Sequence, residues 1–162
     1  GDCKIIDHLR LMGAFIDVRD NDIVAMPSQL FGAELDCTDT PDLLPILCVA
    51  AAVAQGITVF TGVGRLRFKE SDRLEAMRQV LASFGVASQV GEDTFTVFGG
   101  EPVASGVVNS FGDHRIAMSA AIMAAVAGCE VTIKGAECVA KSYPAFWQEF
   151  QRLGGIYEQY IR

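Results

Sequence analysis

Ile5, Ile6, Leu9, Leu11 and Met12 recur at helical spacing and stop at Gly13, a residue suited to a left-handed helix end. The spacing predicts a short helix. Phe15, Ile16 and Val18, then Ile23 and Val24, are β-prone runs on either side of Asp20-Asn21-Asp22, which predicts a hairpin turning at Asn21. Glu34 to Cys37 reads as a third strand. Beyond it, Thr40 as N-cap, Pro41 in the first turn and Asp42 near the positive end of the dipole predict a helix running to about Ala54. Its residues are apolar on nearly every side, so it should be buried between other elements. Gly56 ends it, and Ile57 to Phe60 predict a strand.

A third helix is predicted to open near Glu70, with Leu74, Met77, Leu81 and Phe84 on one stripe, Glu75, Arg78 and Gln79 facing away, and Gly85 at its end. Ala87 to Val90 and Thr94 to Phe98, joined by Gly91-Glu92-Asp93, repeat the hairpin pattern, and Val103 to Val108 reads as a further strand. Ser110-Phe111-Gly112-Asp113 resembles a capping box before an apolar helix that ends at Gly128. Val131 to Ile133 follows as a strand, and Pro144 opens a last helix ending at Gly154-Gly155.

These elements recur with one period. Gly13 and Gly85 are 72 positions apart, Asp42 and Asp113 are 71, and Lys69 and Lys141 are 72. A period this long exceeds that of most solenoids and favours a domain of duplicated βαβ-type units. The expected class is α+β, a mixed α/β fold, with units over roughly 1–56 (partial), 57–128 and 129–162 (partial). The start at Gly1, without an initiator methionine and already inside a helical pattern, leads to the expectation of one partial domain of a longer chain.

Composition narrows the function classes. The 162 residues are 51% hydrophobic and 20% charged, a globular profile with material for one packed core. The apolar run from Ile46 to Ala54 is too short to cross a bilayer, and no basic segment precedes it, so a soluble protein is expected. Five cysteines without a Cys-x-x-Cys spacing suggest reduced thiols and a cytoplasmic location, and two histidines offer little to a metal. A net charge of -7 argues against nucleic acid or an anionic membrane as partner. Anion recognition, if present, must be local.

One stretch has that local character. Arg65, Arg67, Lys69 and Arg73 flank Glu70 where a strand pattern gives way to a helical one. Helix N-termini attract phosphate and carboxylate through unpaired N–H groups and the dipole, and arginines add bidentate contacts. Lys69 and Arg73, four apart, would share a helix face with Glu70 one position round. Asp113-His114-Arg115 and Lys141 hold related places in later elements. Each residue also has an ordinary reading: solvated helix-start ion pairs for Lys69 to Arg73, a capping or core histidine for His114, a helix-start carboxylate for Asp42, and solvated arginines on a strand end for Arg65 and Arg67. By themselves these residues indicate an anion site and no reaction.

Taken together, Thr40-Pro41-Asp42, Lys69-Glu70-Ser71-Asp72-Arg73-Leu74, Gly112-Asp113-His114-Arg115-Ile116-Ala117-Met118 and Ala140-Lys141-Ser142-Tyr143-Pro144 resemble, in order and spacing, the C-terminal signatures of the 5-enolpyruvylshikimate-3-phosphate synthases. The resemblance covers essentially the whole chain. It implies part of one domain of a two-domain enolpyruvyl transferase fold of repeated βαβαββ units, an inside-out α/β prism. It also implies transfer of the enolpyruvyl group of phosphoenolpyruvate to the 5-hydroxyl of shikimate-3-phosphate, without metal or organic cofactor, in aromatic amino acid biosynthesis. Asp42 would take the hydroxyl proton, with Lys69 helping to hold shikimate-3-phosphate. Glu70 would protonate the methylene carbon, becoming a competent acid only in the closed complex. Arg73, Arg115 and Lys141 would bind phosphoenolpyruvate, and His114 would sit in the same wall.

The family's N-terminal lysine, serine and arginine motifs have no counterpart here, so the segment alone is expected to be inactive and to need the missing N-terminal part of the enzyme as its partner. Arg65 stands where the family has an asparagine-like residue, which leaves the role of that position open. The UDP-N-acetylglucosamine enolpyruvyl transferases share the architecture but are not expected to carry the Lys-Glu-Ser-Asp-Arg or Asp-His-Arg strings. A repeat fold acting on RNA 3′-phosphates is disfavoured by the acidic balance. A non-catalytic anion-binding module is the reading from another class.

Overall fold

The computed structural model describes residues 2–20, 22–103 and 106–160. After a single 3-10 turn, α1 spans Ile5–Leu11 and stops before Gly13, whose φ of +94° is the left-handed conformation its lack of a Cβ permits. The strands β1 (Phe15–Arg19) and β2 (Asp22–Met26) form an antiparallel hairpin. The expected turn centre, Asn21, lies outside the described residues.

The middle of the chain builds a four-stranded sheet. It contains β3 (Glu34–Asp36), β4 (Ile57–Thr61), β5 (Ser88–Val90) and β6 (Thr94–Phe98) in the order β3-β4-β6-β5. β3 runs parallel to β4, and the other pairs are antiparallel. Connecting helices are α2 (Leu44–Val53) and α3 (Arg73–Ser83). A separate parallel pair, β7 (Val107–Asn109) and β8 (Thr132–Lys134), brackets α4 (His114–Ala127), and α5 (Phe146–Arg152) follows.

Alternation along the strands decides where the core lies. Leu35, Phe60, Phe95 and Val97 point from the sheet into one cluster with Leu44, Leu47, Cys48 and Ala51 of α2, Leu74, Met77 and Leu81 of α3, and Ile116, Ala120 and Met123 of α4. Each fully buried leucine, methionine or phenylalanine contributes about 1.5–3 kcal/mol. α2 is buried on almost every face, as its uniformly apolar sequence predicts, because α1, α3, α4 and the sheet surround it. α3 buries the expected stripe of Leu74, Met77 and Leu81, with Phe84 at its end. α4 closes at Gly128 with φ +62°.

Several predicted boundaries move. α3 begins at Arg73 and not near Glu70, because the Asp72 carboxylate accepts from Glu75 N at 3.1 Å and makes Asp72 the N-cap. Lys69 and Glu70 are therefore in the connecting segment, and Lys69 and Arg73 do not share a helix face. Arg65 and Arg67 are not on a strand end. They belong to a 3-10 turn, Gly64–Phe68, where Arg65 Nη2 donates to the Thr38 carbonyl and Arg67 Nη2 to the Gly91 carbonyl. Gly62 makes the entry to this turn: φ is +70°, and a Cβ there would lie 2.1 Å from Thr38 Oγ1.

Thr40 precedes a 3-10 turn over Pro41–Leu43 and makes no side-chain cap, its buried hydroxyl having no hydrogen-bond partner among the described residues. The capping residue of α4 is Asp113, which accepts from Arg115 N at 3.0 Å, while Ser110 Oγ donates instead to the Gly135 carbonyl. α5 starts at Phe146, two residues after Pro144. The strand expected over Val103 to Val108 is β7 alone, and Ala104 and Ser105 lie outside the described residues.

Candidate active site

Three helix starts meet at one place, and their charged side chains are bonded to each other. Arg73, the first residue of α3, is 3% exposed. Its Nε donates to Asp113 Oδ2 at 2.7 Å, its Nη2 to Asp113 Oδ1 at 3.3 Å, and its Nη1 to Asp42 Oδ1 at 2.7 Å. One guanidinium thus joins the turn before α2 to the cap of α4. Asp113 is fully buried and also accepts from Ser71 Oγ at 3.1 Å. A buried charge is tolerable only when paired and hydrogen-bonded, and this pair meets both conditions.

Asp42 is the hub on the open side. Lys69 Nζ lies 3.2 Å from its Oδ1, Arg115 Nη2 lies 4.0 Å from its Oδ2, and Arg115 Nη1 donates to its carbonyl at 3.1 Å. Burial raises the pKa of Asp42, but the hydrogen bond from Lys69 and the charges of Arg73, Lys69 and Arg115 outweigh it and hold the carboxyl below its ordinary range. Asp42 is therefore anionic at neutral pH, and a carboxylate so stabilised is a weak base while those cations stay on it.

Glu70 has a different partner. Its Oε2 is 3.0 Å from His114 Nδ1, with the carboxylate half-exposed and the imidazole largely covered. Sequence spacing suggested that the flanking cations act on Glu70, but Lys69 and Arg73 turn to Asp42 and leave Glu70 to a histidine 44 positions away. The Glu70–His114 contact joins the segment before α3 to the first residue of α4. Glu70, Asp113 and His114 also offer three ligand atoms within 4.8 Å of one another. The Arg73 charge already compensates the Asp113 carboxylate and disfavours a cation there.

Lys141 ends a 3-10 segment, Ala136–Lys141, that packs against α4, and its side chain is exposed. It takes no part in the bonds that join Asp42, Lys69, Glu70, Arg73, His114 and Arg115. Between Lys141's neighbours and α2 lies a cavity of about 210 Å³ bounded by Asp42, Ile46, Arg115, Met118, Tyr143 and Phe146 among others. At the starts of α3 and α4, Glu75 N donates to the Asp72 carboxylate and Arg115 N to that of Asp113. Sequence reasoning did not find the central position of Asp113, whose only signal was an acid at a helix N-cap.

The comparison with known proteins follows the same residues. The family model for EPSP synthase (3-phosphoshikimate 1-carboxyvinyltransferase) matches residues 1–150. The chain belongs to the EPSP synthase family. Among its relatives, the 3-phosphoshikimate 1-carboxyvinyltransferase of Clostridium kluyveri is 40% identical over 160 residues, covering 99% of this chain and 38% of the relative. That of Clostridium acetobutylicum is 43% identical over 155 residues, covering 96% and 36%.

A solved EPSP synthase from Acinetobacter baumannii superposes with a TM-score of 0.81 at 34% identity, covering 95% of this chain and 39% of that one. The enolpyruvyl transferase NikO from Streptomyces tendae superposes with a TM-score of 0.74 at 23% identity, covering 95% and 35%, and shares the fold. The mixed α/β architecture is therefore the enolpyruvyl transferase fold, and the chain spans little more than a third of the EPSP synthases it matches. No helix among the described residues is long and apolar enough to cross a membrane.

Proposed function

We propose that this chain forms one wall of an EPSP synthase active site, which transfers the enolpyruvyl group of phosphoenolpyruvate to the 5-hydroxyl of shikimate-3-phosphate and releases phosphate. The observation that carries this reading is the placement of two functionally distinct carboxylates in one charged network: Asp42 under three cations, and Glu70 on His114. Addition to an enol ether needs a base at the hydroxyl, an acid at carbon, and cations for the anionic substrates.

In this reading the phosphate and carboxylate groups of the substrates draw Lys69 and Arg115 away from Asp42, both side chains being about one-third exposed. Losing those cations makes Asp42 more basic, and it takes the proton of the 5-hydroxyl as the oxygen bonds to the central carbon of phosphoenolpyruvate. Glu70 gives its proton to the methylene carbon and, when the tetrahedral intermediate expels phosphate, takes one back from the resulting methyl group, while the proton held by Asp42 passes to the departing phosphate. His114 holds Glu70 in place for both transfers. Arg73 uses three of its five donors on Asp42 and Asp113, which leaves two for phosphoenolpyruvate beside Arg115 and Lys141.

The proposed domain organisation is one partial domain with units over 1–56, 57–128 and 129–162, and the repeated pairing registers of β3–β4 and β7–β8 support it. The rest of the enzyme supplies the facing wall, so the segment alone is inactive. A cytoplasmic setting belongs to the same reading and is supported by the buried thiols of Cys37, Cys48 and Cys138. The test is phosphate release from the two substrates by a full-length enzyme containing this segment, with Glu70→Gln and Asp42→Asn as controls. Absence of turnover in the unsubstituted enzyme, or full turnover in both variants, overturns the proposal.

A further inference from the structure

Asp42 and Lys69 sit on two loops that leave neighbouring parallel strands. The first follows β3 and passes through Thr38 to the turn Pro41–Leu43; the second follows β4 and forms the turn Gly64–Phe68, next to Lys69. The two turns pack against each other, and two polar contacts tie the loops together. Lys69 Nζ lies 3.2 Å from Asp42 Oδ1, and Arg65 Nη2 donates to the Thr38 carbonyl. Thr38 stands four positions before Asp42, and Arg65 four before Lys69, so one contact closes each end of the same two segments.

The second loop has an anchor of its own. Gly64 N donates to Asp93 Oδ1 at 2.7 Å and Arg67 Nη2 to the Gly91 carbonyl, which fixes the turn on the tip of the β5–β6 hairpin. Thr38 is shaped locally by Asp36, whose Oδ1 accepts from Thr38 N at 2.9 Å and from Thr38 Oγ1 at 2.6 Å. Little else restrains the residues between Thr38 and Asp42. The Thr40 hydroxyl has no hydrogen-bond partner among the described residues, and the Asp39–Lys4 ion pair is exposed to solvent, where such pairs hold weakly. Arg65 is therefore the side chain that joins this loop to the anchored turn. Its bond goes to a carbonyl, so it restrains the segment without occupying the Asp42 carboxylate, and a guanidinium makes that bond a charge-assisted one.

We propose that Arg65 is a positioning residue for Asp42, holding the loop from Thr38 to Asp42 against the basic turn while the other end of the pair is open. The inference rests on the proposed function, in which substrate anions draw Lys69 and Arg115 off Asp42. At that moment Asp42 keeps Arg73 at 2.7 Å, and its loop keeps the Arg65 bond to Thr38. Small displacements of a base from its proton cost rate steeply, which gives a restraint four residues away its effect on the chemical step.

Steady-state kinetics of a full-length family enzyme carrying this segment test this, with Arg65→Met, Arg65→Lys, Asp42→Asn and the Arg65→Met/Asp42→Asn double variant. Arg65→Met is expected to lower kcat roughly tenfold while KM for each substrate stays within about twofold. Arg65→Lys keeps a donor of similar reach and restores most of kcat. The double variant is expected to be no slower than Asp42→Asn alone, since a residue that acts through Asp42 has nothing to position once that base is gone. Arg65 is exposed, so the variants should fold, which circular dichroism checks. Arg65→Gln, too short to reach the Thr38 carbonyl, is measured beside Arg65→Met and replaces it if methionine impairs folding. A rise in KM for one substrate at unchanged kcat makes Arg65 a direct anion ligand and overturns the proposal. So does an unchanged kcat, or a loss that adds in full to that of Asp42→Asn. An unsubstituted enzyme without turnover, or full turnover by Asp42→Asn, overturns the proposed function itself and this inference with it.

Discussion

Arg73 Nε donates to Asp113 Oδ2 at 2.7 Å across 40 positions of sequence, with the arginine 3% exposed and the aspartate fully buried. This bond links the starts of α3 and α4, and the third contact, to Asp42, brings in the turn before α2. Removing Asp113 leaves a buried guanidinium with one carboxylate in place of two, and removing Arg73 leaves the fully buried Asp113 without its counter-charge. Asp113→Ala should therefore destabilise the fold by about 3–5 kcal/mol, whereas a paired apolar replacement, Arg73→Met with Asp113→Leu, should recover much of that loss. Urea unfolding of the single and double variants measures both.

Glu70 Oε2 and His114 Nδ1 lie 3.0 Å apart, in a pair that is not bonded to the Arg73–Asp113 network. Glu70→Gln in a full-length family enzyme carrying this segment should lower kcat by about 10²- to 10⁴-fold with little change in stability, because the Glu70 side chain is half-exposed and a glutamine amide of the same length can still reach His114. His114→Gln should lower kcat less than Glu70→Gln. Steady-state kinetics together with thermal unfolding separate the chemical from the structural effect.

Acid should weaken the fold through two carboxylates. The hydrogen bonds from Arg78 and Gln79 lower Glu75 from 4.5 to about 2, and Asp42 is held below its ordinary 3.8 once its cations outweigh its burial. In both, the folded pKa is depressed, so the unfolded chain binds more protons in this range. Their stabilisation is complete above the unfolded values and is lost as pH falls through the folded ones. Unfolding free energy should accordingly decline from about pH 4.5 toward pH 2, and Glu75→Gln should flatten the slope.

Thiol chemistry should report the core. Cys3 is exposed, while burial raises Cys37 to about 11 and pushes fully buried Cys48 well above 9.0. Iodoacetamide at neutral pH should modify Cys3 rapidly and reach Cys37 and Cys48 only in denaturant, because the thiolate is the nucleophile and neither group ionises in the fold. Peptide mapping by mass spectrometry gives the order of modification.

Most of the elements could be read from the sequence because their signals are local. The apolar stripe Leu74, Met77, Leu81, Phe84 needs only the helical period, the Gly13 and Gly128 ends need only a residue tolerant of positive φ, and the two hairpins need only alternation around a turn. The errors came where a side chain chose among neighbouring amides. α3 begins at Arg73 behind the Asp72 cap rather than near Glu70, and Asp113 rather than Ser110 caps α4, because each choice depends on the path of the incoming chain.

The sequence by itself determined the elements, the period near 72 residues and the motif residues Asp42, Lys69, Glu70, Arg73, His114, Arg115 and Lys141. Only the tertiary structure decided which charges pair. From spacing, Lys69 and Arg73 belonged with Glu70; in the fold they belong to Asp42 and Asp113, and Glu70 belongs to His114. The physical reason is that helix period fixes neighbours within one element, while a buried guanidinium must find carboxylates from whichever elements the hydrophobic core has packed around it.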